Sequence, residues 1–77
     1  ARPGEVMFAV PLRLQTLGRS KVREGPGTTY RTIATLEPGT SLVGLSYVDQ
    51  WMRVQGDSGR SGWVFWNLVQ KRQADSP

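Results

Sequence analysis

From Ile33 onward the chain is a string of short β-forming runs, each closed by turn chemistry, and that pattern builds small all-β domains. Ile33, Thr35 and Leu36 lead into Glu37-Pro38-Gly39-Thr40, where Pro38 presets φ and Gly39 accepts the positive φ of a type II turn. Ser41 to Val48 reads as a strand in which Gly44 marks a bulge or a close backbone approach. Asp49-Gln50 connects tightly to a strand from Trp51 to Gln55, and the Gly-rich stretch from Gly56 to Gly62 closes a hairpin onto Trp63-Val64-Phe65. Trp66 to Gln70 ends the domain, and Lys71 to Pro77 reads as a frayed polar tail. Upstream, Val6, Phe8, Val10, Leu12 and Leu14 fall on every second residue, which is strand periodicity. Pro11 cannot donate to a ladder, so this run is either an edge strand or two pieces joined there. Gly18 to Tyr30, rich in Gly, Ser and Thr around Val22, reads as a long structured loop. Five or six short strands with no heptad, amphipathic helix or internal repeat predict a small barrel or sandwich.

Composition sets how such a domain is held and what it can do. Leu, Ile, Val and Phe make up 18 of 77 residues, just above the roughly 20% below which chains stay disordered. Cysteine and histidine are both absent, so disulfides, a zinc finger, a Cys nucleophile and a Ser-His triad are excluded within this chain. The six carboxylates are Glu5, Glu24, Glu37, Asp49, Asp57 and Asp75, most of them beside Gly, Pro or Ser, where solvated turn positions account for them. We therefore expect no enzyme, no cofactor and no metal. No run of about 18 apolar residues exists to span a membrane. The opening residues carry no charged and apolar leader, so the expectation is a chain that has lost a signal peptide or never carried one.

The order of motifs resembles the bacterial SH3 domains, the SH3b family. The resemblance rests on Val22 to Tyr30 ("VREGPGTTY"), Ile33, Leu36 to Thr40 ("LEPGT"), Trp51 to Val54 ("WMRV"), Gly59 to Val64 ("GRSGWV") and Leu68. Together these span Ser20 to Val69, about two thirds of the chain. Ser20 stands where the family usually has Leu, and residues 1–17 match no family feature, so the first strand is expected to be shifted or bulged. The resemblance implies an all-β, small SH3-like barrel of five to six short strands with a long RT-type loop. On this division residues 1–11 are a leading segment available as an added strand, 12–70 form the barrel and 71–77 the tail.

Strand alternation then sorts side chains by face. In Trp51-Met52-Arg53-Val54, Met52 and Val54 point inward and Trp51 and Arg53 outward; Val64 points inward if Trp63 and Phe65 point outward, which would bring Trp63 near Trp51 across the hairpin. Met52, Val54, Val64, Leu36, Ile33, Leu42 and Leu68 are the expected core. Candidate ligand-binding residues are Arg23, Tyr30, Asp49, Trp51, Arg53, Trp63 and Trp66, with surface Trp, Tyr and Arg the types enriched at recognition hot spots. For Trp63 and Tyr30 packing is the stronger claim on the side chain; for Trp51 and Trp66, recognition. Arg23 has as good a claim to bonding carbonyls or Glu24 inside its loop as to ligand contact.

Three functions compete. The resemblance implies a non-catalytic module that targets a larger envelope-associated protein by binding cell-wall (peptidoglycan) peptide or another extended peptide, outside the cytoplasm. The peptide would lie over Trp51 and Trp66, flanked by Tyr30 and by Asp49, whose carboxylate could hold an amine. The alternative is a structural protein–protein interaction domain inside a multidomain protein. The net charge of +4, the pI near 10.4 and the Arg19, Lys21, Arg23 cluster raise nucleic-acid binding. The interspersed carboxylates and the modest net charge make that the least favoured of the three.

Overall fold

The computed structural model describes residues 3–56 and 59–72. Among these residues every regular element except one 3-10 turn is a strand: β1 (Val6–Thr16), β2 (Ser20–Arg23), β3 (Thr32–Leu36), β4 (Ser41–Val48), β5 (Trp51–Gln55), β6 (Ser61–Phe65), the 3-10 turn Trp66–Leu68 and β7 (Val69–Lys71). They form one antiparallel sheet in the order β3-β2-β6-β5-β4-β1-β7. The sheet curls until six strands share a single core: Leu14 of β1, Val22 of β2, Leu42 of β4, Val54 of β5, Val64 of β6 and Val69 of β7, with Leu12, Leu36 and Met52 packed at its margin. No described helix is long and apolar enough to cross a membrane.

Two glycines let the sheet curl this tightly. At Gly44 the β4–β5 register shifts, and a Cβ there would stand 2.8 Å from Leu14 Cδ1; the expected bulge and the expected close approach both occur at this residue. At Gly62 a Cβ would land inside the Val22 side chain, so β6 reaches β2 only because that position carries no side chain. Gly39 has φ +79, the left-handed conformation the turn after Pro38 requires.

The structure corrects four expectations. Seven strands form where five to six were expected, because Ser20–Arg23 is itself a strand and the end of the chain's last run adds β7 beside β1. The Gly18–Tyr30 segment is a loop only in part: Ser20–Arg23 is a strand, and the loop begins at Glu24, whose N–H donates to Arg31 O at 3.0 Å. Ile33 leaves the core and is 40% exposed. It is the extra residue of a bulge, since Val22 pairs Ala34 while Arg23 pairs Thr32, and it sits on an edge strand. Leu68 lies in the 3-10 turn outside the core cluster, whose remaining places go to Leu14, Val22 and Val69.

The leading strand is irregular where Pro11 falls. Val6 and Met7 pair Tyr47 and Ser46, pairing resumes at Leu12 with Gly44, and residues 8–11 stand opposite Leu45 alone. A residue without an N–H loses least in such an interruption. At the other end Lys71 pairs Leu14, and Arg72 N–H donates to Arg13 O at 2.9 Å, so these two residues belong to the sheet. Asp57, Asp75 and the rest of the tail from 73 to 77 lie outside the described residues.

Candidate functional site

On the outer face of the sheet β5, β6 and the 3-10 turn meet the β2 arm, and between them lies an open groove of about 560 Å³. One flank is apolar. Trp51 and Phe65 are partners across the β5–β6 ladder and touch edge to face, with ring centroids 5.5 Å apart at 76°; Leu68 continues this surface. Their placement follows from alternation: Trp51 is followed by inward Met52, and Phe65 is preceded by Val64, which is fully buried. The turn holding Leu68 starts where Trp66 N–H donates to Gln50 O at 2.8 Å, tying it to the β4–β5 turn.

The other flank is cationic. Ser20 and Val22 of β2 are buried, so Lys21 and Arg23 face outward and, with Arg19 just before the strand, line the groove beside Gly27 and Thr28 of the loop. Arg23 Nη1 donates to Thr28 O at 3.3 Å and Tyr30 O at 2.9 Å, so this guanidinium holds the loop while it borders the groove. Arg19 Nη2 lies 3.4 Å from Glu37 Oε2, with both side chains largely in solvent. Lys21 has no hydrogen-bond or ion-pair partner among the described residues.

The seven residues singled out from sequence separate into distinct places. Trp51 and Arg23 line the groove. Tyr30 is not among the lining residues: its carbonyl accepts from Arg23 Nη1, and its ring packs on Gly25, where a Cβ would collide with it. Trp63 is 4% exposed and offers no surface to a ligand. It pairs Arg53 on one side and Arg23 on the other, while Trp51 pairs Phe65, so the expected approach of Trp63 to Trp51 is replaced by the Trp51–Phe65 contact. Arg53 Nη1 reaches Glu5 Oε2 at 3.8 Å; the Glu5 side chain is 1% exposed and also accepts a hydrogen bond from Ser46 Oγ. Arg53 thus anchors the leading segment to the sheet. Asp49 takes φ 52 at the exposed tip of the β4–β5 turn, a conformation Asp tolerates, and does not line the groove. Trp66 is 52% exposed and also stands outside the lining.

Beyond Trp51 and Arg23 the groove is lined by Arg19, Lys21, Gly27, Thr28, Phe65 and Leu68, none of them among the seven residues singled out from sequence. The signal for the cations was present, since Arg19-Ser20-Lys21-Val22-Arg23 alternates charged and small or apolar residues with period two. The cluster is evident in the sequence; what its turn-rich surroundings conceal is that Lys21 and Arg23 stand on one face of a strand.

Residues 18–70 match the family model of the bacterial SH3 domain. No curated protein and no solved structure matches the chain. The chain belongs to the bacterial SH3 domain family, a family of binding domains.

Proposed function

We propose that this bacterial SH3 domain is a non-catalytic targeting module that binds cell-wall (peptidoglycan) peptide, or another extended peptide, for a larger protein working outside the cytoplasm. The observation that carries this reading is the groove itself: an open trough with an aromatic floor at Trp51 and Phe65 and a charged wall on β2. An extended peptide presents a narrow, polar backbone with short side chains, and a shallow aromatic floor covers its apolar parts. Affinity for so small an interface is micromolar or weaker, and avidity from the rest of the parent protein makes up the difference.

The test is sedimentation with purified cell wall. Trp51→Ala should leave the domain folded and reduce its attachment by about tenfold or more, the loss of a modest hot spot. A folded variant that attaches as well as the parent contradicts the reading.

A specific observation favours a second reading, contact with other parts of the same protein. Val6, Met7 and Val10 on the leading half of β1 are exposed, Val10 at 73%, and apolar surface of this kind is typical of contact sites. Under that reading Val10→Lys weakens docking of the domain onto its parent and leaves wall attachment of the isolated domain unchanged.

A further inference from the structure

We infer that the groove reads the free carboxylate end of a short extended peptide, a conclusion that rests on the peptide-binding reading above and names the end group it selects. The charge distribution carries the inference. All three cations of the groove stand on the β2 flank, and the opposite flank of Trp51, Phe65 and Leu68 is uncharged. A ligand that satisfies both flanks has an anionic group at one side and an apolar body against the other.

The cations are available in graded degree. Lys21 has no partner among the described residues. Arg23 uses Nη1 on the loop carbonyls, and among the described residues Nε and Nη2 carry no hydrogen bond. Arg19 is paired with Glu37 at 3.4 Å in solvent, a contact of the kind that contributes little and yields readily to a competing anion. Lys21 and Arg23, two positions apart on the outward face of β2 and lining one groove, offer an ammonium and a half-used guanidinium to the two oxygens of a carboxylate through charge-assisted hydrogen bonds.

A nucleic-acid strand fits this arrangement less well. Single-strand sites follow the backbone for roughly 4 to 16 nucleotides, with cations spaced along that path. Here the cations fall within Arg19 to Arg23 at one wall, and the floor beyond them carries no charge with which to follow a second phosphate.

The experiment follows the backbone amides and the three tryptophan indole N–H signals of the isotope-labelled domain by NMR. The probes are N-acetyl-trialanine with a free carboxylate, its C-terminal amide, inorganic phosphate and a short oligothymidylate. The expected result is that the acid moves the Trp51, Lys21 and Arg23 signals, and that the amide requires about tenfold more peptide to do so, the factor one charge-assisted bond supplies. Lys21→Gln should remove most of that preference, with Arg19→Gln as a second variant that removes less. Equal affinity for acid and amide, both moving Trp51, overturns the inference and leaves the peptide reading standing. If neither peptide moves Trp51 at millimolar concentration the inference fails, and cell-wall sedimentation decides separately whether the peptide reading fails with it. Phosphate or oligothymidylate that moves the same signals at lower concentration than the acid also overturns it.

Discussion

The two flanks of the groove are built by different means. On the β5–β6 side every groove residue alternates with a core residue: Trp51 with Met52, Phe65 with fully buried Val64, and five consecutive ladder pairs lock the two strands together. The β2 side is a strand of four residues joined to β6 by one ladder pair, Arg23 with Trp63. Its loop is closed by side-chain bonds from Arg23 and a few backbone bonds such as Gly27 N–H to Gly25 O. The first flank offers shape fixed by the core, and the second offers charge on an arm whose position depends on a single close approach. A domain of this size gains both from one sheet because alternation puts packing and recognition on opposite faces of the same strands.

Breaking the joint between the flanks should have the largest effect. Gly62→Ala places a Cβ inside the Val22 side chain and within 3.2 Å of Arg23 O, so β2 must move off β6. Overpacking of this kind costs about 3 kcal/mol, the upper part of its usual range. The urea midpoint should fall accordingly, and ligand binding should fall with it even where the domain is still folded. Val54→Ala acts on the shared core and leaves the groove surface and the Gly62 approach untouched. It should cost about 2 kcal/mol in the same measurement, with binding per folded molecule unchanged, because Val54 faces away from the groove.

How far the sequence could be read follows the same division. On the β5–β6 flank the outward phase of Trp51 and Phe65 is legible from alternation, whereas Leu68 reads as core and lies in a 3-10 turn; the β4 run and the Pro38-Gly39 turn are legible for equally local reasons. On the β2 flank the Arg19, Lys21, Arg23 cluster is legible but the strand that carries it is not, since that strand is short and embedded in turn-rich sequence. Ile33 was misplaced because a bulge inserts one residue and flips the phase of everything judged by alternation. Trp63 shares the outward phase of Phe65, yet is buried on a central strand where it pairs Arg23 on one side and Arg53 on the other, and coverage of an outer face by neighbouring long side chains is something no periodicity records. The ion pair of Arg53 with Glu5 leaves no local sign in the sequence, because Glu5 lies far upstream and only the fold draws it beside β5.

The smallest effect is expected at the exposed tryptophan outside both flanks. Trp66→Ala should change stability by no more than about 0.5 kcal/mol and shift peptide affinity by less than twofold or so, measured by denaturant titration and by the NMR titration above. A tenfold loss of binding would extend the groove past the 3-10 turn and make the apolar flank larger than the lining now shows.

Under the proposed function Trp51, and neither of the other two tryptophans, presents the aromatic surface to a ligand. This is tested most directly by the three indole N–H signals during titration with soluble peptidoglycan peptide. The account predicts a large, saturable shift for Trp51, almost none for buried Trp63 and a small one for Trp66. A saturable shift at Trp66 or Trp63 with Trp51 unmoved would place the site elsewhere on the sheet.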